Sequence, residues 1–141
     1  MTNKAVRRYF LSLLCSAICL AIALTLGFQL QAAELSDTDK QFLSGYEKVR
    51  AALAADNLKD AKSAAGELGE EGAAIAKSEN IKSARNDFAK LSERAITLAK
   101  GKDGYYVVNC PMLKKDWVQN SPKISNPYAG NSMLTCGVIK K

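Results

Sequence analysis

Two pairs of sulfur-bearing residues near the C-terminus offer the most distinctive chemistry in this sequence. Cys110 and Met112 are two residues apart, and Met133 and Cys136, about twenty residues later, are three apart. Thiolate and thioether ligands together favour soft ions such as Cu(I). On an extended segment, side chains two residues apart point to the same side of the chain. The spacing therefore indicates a candidate four-sulfur site for Cu(I) or Ag(I).

The two cysteines have a competing use as a disulfide. Cysteines of an exported protein meet an oxidising compartment and usually pair. A Cys110–Cys136 bridge would close a loop of about 26 residues and stabilise the fold by roughly 3.5 kcal/mol in the chain-entropy model. Methionine is also a common filler of irregular cores. The residues alone leave both interpretations open, and the two can be the oxidised and reduced states of one site.

The chain contains no histidine. This excludes histidine-based acid–base catalysis, Ser-His or Cys-His nucleophiles, and metal sites that depend on imidazole. The sequence also shows no paired carboxylates, no glycine-rich phosphate loop and no Cys-x-x-Cys spacing. We therefore predict that the protein is not an enzyme.

The first 33 residues resemble a secretory signal peptide. Three basic residues precede an uncharged apolar run from Tyr9 to Phe28, and small residues at Ala32 and Ala33 follow it. This order is typical of a cleaved signal, although the apolar run is also long enough for an uncleaved anchor in the inner membrane. We expect residues 34–141 to be a single exported domain, periplasmic or secreted, which contacts the membrane only if the segment is uncleaved.

The charge of the exported part is small. Of the 20 Lys and Arg residues, three precede residue 33, which leaves 17 against all 14 Asp and Glu residues. This excess includes no basic stripe interleaved with aromatic residues, so we expect no nucleic-acid partner.

Residues 34–101 have the periodicity of helices. Apolar residues recur at intervals of three and four, and polar residues that favour helix caps separate the runs. We predict three helices, beginning after Ser36, at Leu58 and at Ile81, the second running to about Ala76 and the third ending at Lys100-Gly101. Short connections between them indicate an antiparallel three-helix bundle. The predicted inward residues are Phe42, Tyr46, Val49, Leu53, Leu58, Ala61, Ala65, Leu68, Ile75, Ile81, Ala84, Phe88, Leu91, Ala95 and Leu98.

Residues 102–141 lose the helical period. Tyr105 to Asn109 and Met133 to Ile139 favour strands, and we predict a small irregular or β-hairpin module formed from them. We expect Trp117 and nearby tyrosines to form its core, and the charges from Lys114 to Asp116 to lie in a solvated loop. The predicted fold class is thus mainly α, with an appended module that carries two cysteines and two methionines.

Several stretches together resemble a bacterial family of small secreted domains of unknown function. They are A-L-A-A-D-N-L from Ala52, Y-V-V-N-C-P-M from Tyr106, W-V at Trp117, and N-P-Y-A-G-N-S-M-L-T-C-G from Asn126. The resemblance covers the chain from about Leu35 to Val138. Domains of this family also occur fused to periplasmic adaptor subunits of copper and silver efflux systems.

The resemblance implies a periplasmic module that handles heavy metals. Its marked positions would be Cys110, Met112, Met133 and Cys136, and its partner would be a heavy-metal efflux adaptor protein. A protein of this kind would buffer Cu(I) or Ag(I) or pass the ion on by ligand exchange.

Overall fold

A computed structural model describes residues 34–140. The predicted signal peptide or anchor, residues 1–33, lies outside the described residues. Within residues 34–140, no helix is both long and apolar enough to cross a membrane.

The described chain is mainly helical, with a small sheet near its C-terminal end. The helices are α1 (Asp37–Ala54), α2 (Leu58–Glu67), a 3-10 turn (Gly69–Glu71), α3 (Ala73–Ala76) and α4 (Ile81–Ala99). The remaining elements are β1 (Tyr106–Cys110), β2 (Lys115–Gln119), a second 3-10 turn (Gly130–Ser132) and β3 (Val138–Ile139). The prediction of a mainly helical chain followed by a small β-containing module is confirmed at this level.

The two long helices follow from their caps and their apolar period. The Ser36 side chain accepts a hydrogen bond from the Asp39 backbone N–H and begins α1. Asn80 and Ser83 form a reciprocal capping box at the start of α4, which satisfies backbone donors that would otherwise lack a partner. The predicted inward residues of α1, and four of the six predicted in α4, are buried. In α4, Ile81 and Leu98 are partly buried against the same core.

The prediction of one continuous helix from Leu58 to about Ala76 is wrong. Helix α2 ends at Glu67, and Gly69 has a φ of 62°, which interrupts the right-handed helix. A side chain at Gly72 would collide with the Ala65 carbonyl group. Between α2 and α3 the backbone at Gly72 therefore packs directly against the backbone of α2. This close approach requires a residue without a Cβ atom.

The sheet has a different pairing from the predicted hairpin. Its order is β2-β1-β3, with β1 antiparallel to both neighbours. The hairpin joins β1 to β2, and only Val138 and Ile139 of the second predicted strand pair with β1. The prediction that Lys114 to Asp116 lie in a solvated loop is wrong for Lys115 and Asp116, which begin β2. Asp116 also has polar partners. Its carboxylate accepts hydrogen bonds from Asn109 Nδ2 at 2.7 Å and from Lys140 Nζ at 2.6 Å.

A row of aromatic rings connects the helices to the sheet. Tyr46 of α1 stacks on Phe88 of α4 with ring centroids 5.0 Å apart. Tyr128 lies 5.6 Å from Phe88 and 6.3 Å from Trp117 of β2. The Tyr46 hydroxyl accepts a hydrogen bond from the Val118 backbone N–H at 3.1 Å. Helices and sheet therefore share one core, and the expected core position of Trp117 is confirmed by its complete burial.

Charged side chains attach the long segment between β2 and β3 to the helices. Arg85 donates from Nε to the Pro127 carbonyl oxygen at 2.8 Å and from Nη2 to Asp56 Oδ1 at 2.5 Å. The other Asp56 oxygen accepts from the Asn131 backbone N–H at 2.9 Å. The Asn131 N–H and the Arg85 guanidinium hold the pKa of Asp56 below its usual value. Arg50 makes a further link through Nη1 to the Ser125 carbonyl oxygen at 2.8 Å.

Candidate thiol site

The register of the sheet brings the two cysteines together. Cys110 is the last residue of β1, and Asn109 beside it pairs with Val138 of β3. Cys136 lies two residues before Val138, in a turn closed by a hydrogen bond from its own N–H to the Met133 carbonyl oxygen at 3.0 Å. The two Sγ atoms are 2.7 Å apart. Cys110 and Cys136 are 26 residues apart in the sequence, and their side chains are in direct contact, as predicted.

Both cysteines are free thiols in this structure. A disulfide bond is about 2.05 Å long, so the sulfurs need only a small shift to form one. Two thiolates bound to one tetrahedral ion at about 2.3 Å are roughly 3.8 Å apart. The observed separation is closer to that of a disulfide than to that of two ligands on one metal ion.

The Cys110 sulfur lies in a cradle of hydrogen-bond donors. The residue has no exposed surface, and this burial opposes its ionisation. The Cys136 thiol, the backbone N–H groups of Leu113 and Met112, and the Asn126 side chain all donate toward the sulfur and outweigh the burial. The pKa of Cys110 is therefore lower than that of an ordinary thiol, because hydrogen bonds to a thiolate stabilise it.

Cys136 has the opposite character. It is partly exposed, and the hydrogen bond to Cys110, reinforced by burial and by repulsion from the Cys110 charge, raises its pKa. When the pair titrates, the buried Cys110 sulfur therefore loses its proton first, and the accessible Cys136 sulfur keeps its proton to higher pH.

Asn126 fixes the position of both cysteines. This residue is fully buried. Its Nδ2 donates to the Cys136 carbonyl oxygen at 3.1 Å, and its Oδ1 accepts from the Tyr128 backbone N–H at 2.9 Å. The same side chain donates toward Cys110. No role was predicted for this residue from the sequence, although an Asn-Pro dipeptide indicates a turn whose asparagine can bond to the backbone.

Close packing holds the Cys136 segment against the core. A Cβ atom built at Gly137 would lie 2.7 Å from Val108 Cγ1 and 2.9 Å from the Trp117 ring. Such distances leave no room for a side chain, so the absence of one lets the backbone after Cys136 approach the sheet.

The two methionines lie beside the thiols in sequence, but they differ in exposure. Met112 follows Cys110 in the β1–β2 turn, and its side chain is 74% exposed. Met133 is partly exposed and follows the 3-10 turn Gly130–Ser132. Within residues 34–140, the core cluster and the partly buried residues packed on it include neither methionine. The structure thus joins the predicted cysteines, but it leaves the predicted methionines at the surface rather than in the core.

The described residues hold no cluster of three or more of the side chains that most often ligate metals. Among residues 34–140, no three cysteine, aspartate or glutamate side chains converge as a metal-binding group. A soft ion held by two thiolates and thioethers would not require such a group, since methionine supplies the remaining ligands. Comparison with protein-family models, curated proteins and solved structures found no match to this chain.

Proposed function

We propose that the exported domain is a non-enzymatic, disulfide-stapled structural and protein-interaction module of the cell envelope. The observation that carries the proposal is the 2.7 Å separation of the Cys110 and Cys136 sulfurs. The proposal includes the predicted export of residues 34–141, and it includes an antiparallel three-helix arrangement in which α2 and α3 together form the second member. A partner protein would meet the helical face.

The weak sheet gives the staple a physical purpose. Strand β3 is only two residues long and pairs with β1 at two positions. Strands this short contribute little stability of their own. A bond between Cys110 and Cys136 would fix the end of β1 to the turn before β3, which holds the C-terminal residues on the sheet.

The stabilisation can be measured by unfolding the oxidised and the reduced chain. We would use the full chain with Cys15→Ser and Cys19→Ser, because these two cysteines lie outside the described residues and would complicate thiol chemistry. In the chain-entropy model the 26-residue separation corresponds to about 3.5 kcal/mol in favour of the oxidised form.

The matched control is the same chain with Cys110→Ser and Cys136→Ser. Its stability should not change when a reductant is added. Equal stability of the oxidised and reduced parent chain, or no intramolecular disulfide by mass spectrometry, would contradict the proposed staple.

A second candidate function is binding of Cu(I) or Ag(I), for buffering or for transfer to a heavy-metal efflux adaptor protein. The observation that favours it is the exposed Met112 thioether, which follows the thiolate-favouring Cys110 by two residues. In this candidate the reduced thiols would separate by roughly 1 Å to accept an ion. Met112 and Met133 would supply thioether ligands.

This candidate predicts competition with a calibrated Cu(I) chelator under anaerobic conditions. The reduced full chain, again without Cys15 and Cys19, should bind at least about tenfold more tightly than its Cys136→Ser and Met112→Leu variants. A reduced chain that competes no better than Cys136→Ser would exclude the four-sulfur site.

A further inference from the structure

We infer that the thiol pair exchanges with external disulfides in a fixed order. When the bond forms, Cys136 attacks the external disulfide first, and Cys110 then displaces the bound group from Cys136; when the bond opens, an external thiol attacks Cys136 first. The inference deepens the proposed staple and rests on it, since it states how the bond between the two cysteines forms and opens. The co-reactant is a disulfide, either a small molecule such as oxidised glutathione or an exposed protein disulfide.

The order follows from the different exposure of the two sulfurs. Cys110 is fully buried, whereas Cys136 is partly exposed. Thiol–disulfide exchange requires the attacking sulfur, the central sulfur and the leaving sulfur to lie nearly in line. An external disulfide can therefore approach Cys136, but it cannot reach Cys110 unless the turn before β3 opens.

The first step forms a mixed disulfide. In the singly deprotonated pair, the Cys136 sulfur attacks one sulfur of the external disulfide R–S–S–R, and its proton passes to the Cys110 thiolate 2.7 Å away. The Cys136 S–SR bond forms, the external S–S bond breaks, and one R–S⁻ leaves.

The second step closes the staple. Cys110 gives its proton to the released thiolate and attacks the Cys136 sulfur, which displaces the second R–S⁻. The net reaction converts the singly deprotonated pair and one R–S–S–R into the protein disulfide, one R–SH and one R–S⁻, and the last of these takes a proton from solvent. The reverse sequence opens the staple with two thiols.

The donor cradle suits Cys110 to the resolving role. The backbone N–H groups of Met112 and Leu113 and the Asn126 amide stabilise a negative sulfur at this position. Attack by this sulfur on Cys136 then requires only a short approach, because the two Sγ atoms are already 2.7 Å apart.

The test uses the reduced full chain with Cys15→Ser and Cys19→Ser, mixed with oxidised glutathione, quenched with acid and weighed by mass spectrometry. The parent should pass to the intramolecular disulfide without accumulating a glutathione adduct. The Cys110→Ser variant should accumulate the adduct on Cys136. The Cys136→Ser variant should react at least about tenfold more slowly, because its remaining thiol is buried.

A second measurement avoids substitutions in the pair. Brief alkylation of the reduced parent with iodoacetamide, followed by peptide mapping, should label Cys136 before Cys110. First labelling at Cys110, or equal reaction of the two serine variants, would overturn the order, whereas a lasting adduct on the parent would contradict the staple itself. These readouts do not depend on stability, so a failure of the order is distinguishable from a failure of the staple.

Discussion

Replacement of Gly130 by alanine tests how the segment between β2 and β3 is attached to the helices. Gly130 has a φ of 56°, in the left-handed region, and it begins the 3-10 turn whose next backbone N–H binds Asp56. A Cβ atom at this position would collide with both Asp56 Oδ1 and Arg85 Nη2. The substitution therefore adds backbone strain and separates an ion pair.

The two costs can be estimated separately. An alanine in the left-handed region costs about 1 kcal/mol. Disruption of charge-assisted hydrogen bonds costs about 1.5–3 kcal/mol more. We expect Gly130→Ala to lower the free energy of unfolding by about 3 kcal/mol, which lowers Tm by roughly 10–20 °C in a domain of this size.

Gly101→Ala is the matched control. Gly101 also has a left-handed φ, of 70°, but no atom lies within 4 Å of the position that its Cβ would occupy. This variant should carry only the strain, about 1 kcal/mol. The difference between the two variants then measures the collision alone.

The assay is urea unfolding in the presence of reductant, so that the proposed staple does not contribute. Trp117 is the single tryptophan of the chain and is fully buried, so its fluorescence reports unfolding. Adding Asp56→Gly, which tolerates the φ of 57° at that position, should reduce the cost of Gly130→Ala by at least about 1 kcal/mol. Equal costs for Gly130→Ala and Gly101→Ala, within about 0.5 kcal/mol, would refute the proposed collision.

Three further predictions concern individual polar contacts. Tyr46→Phe removes the acceptor of the buried Val118 N–H and should cost about 1–3 kcal/mol in urea unfolding, whereas an effect below that range would contradict the contact. Hydrogen bonds from a backbone N–H and an arginine lower the pKa of Asp56 in the folded protein. The stability that they contribute is therefore fully present above the pKa of 3.8 in the unfolded chain, and it is lost as the pH falls through the lower pKa of the folded state. Asp56→Asn should therefore lose less stability than the parent chain between about pH 5 and pH 3, and an identical loss would contradict this linkage. Asn126→Asp should raise the pKa of Cys110, because a donor is replaced by a negative charge; the ultraviolet absorbance of the thiolate checks this, and an unchanged titration would contradict it.

The long helices could be predicted from local patterns, because their information is local. Each has a polar cap, an apolar period and a defined end, and all three signals agree. The end of α4 at Lys100-Gly101 was predicted from its glycine, which has the expected left-handed φ. The break after α2 is not predicted by the sequence, because the three glycines of this stretch (Gly66, Gly69 and Gly72) indicate only a weak helix and do not specify where the chain turns.

The sheet and the thiol pair depend on contacts between distant residues. Strand β2 contains two charged residues at its start and follows directly on a basic turn, so its sequence favours a loop. It becomes a strand because Trp117 and Val118 bury their side chains and Tyr46 accepts a hydrogen bond from its backbone. The contact between Cys110 and Cys136 likewise follows from the register of β1 with β3, which no local pattern determines.

The structure also shows a physical use for two of the stretches from which a family resemblance was predicted. The A-L-A-A-D-N-L stretch contains Asp56, and the N-P-Y-A-G-N stretch contains Gly130 and Asn131. The Asn131 backbone N–H donates a hydrogen bond to Asp56, and Gly130 lies close to the same carboxylate. The two stretches are therefore in contact, and their residue types are explained by attachment of the C-terminal segment to the helices.

Because these residues have structural roles, their presence in the motifs is not evidence for a metal site. Residues with a structural use carry no separate information about a ligand, and Asn126 has such a use in positioning Cys110 and Cys136. The Met112 side chain, 74% exposed, lies outside the core cluster. Met112→Leu should therefore leave stability nearly unchanged, because a surface substitution away from the packed core changes it by about 0.5 kcal/mol or less. Any loss of Cu(I) affinity in this variant can then be attributed to the thioether itself, which makes Met112 the residue that best separates a metal-binding module from a stapled one.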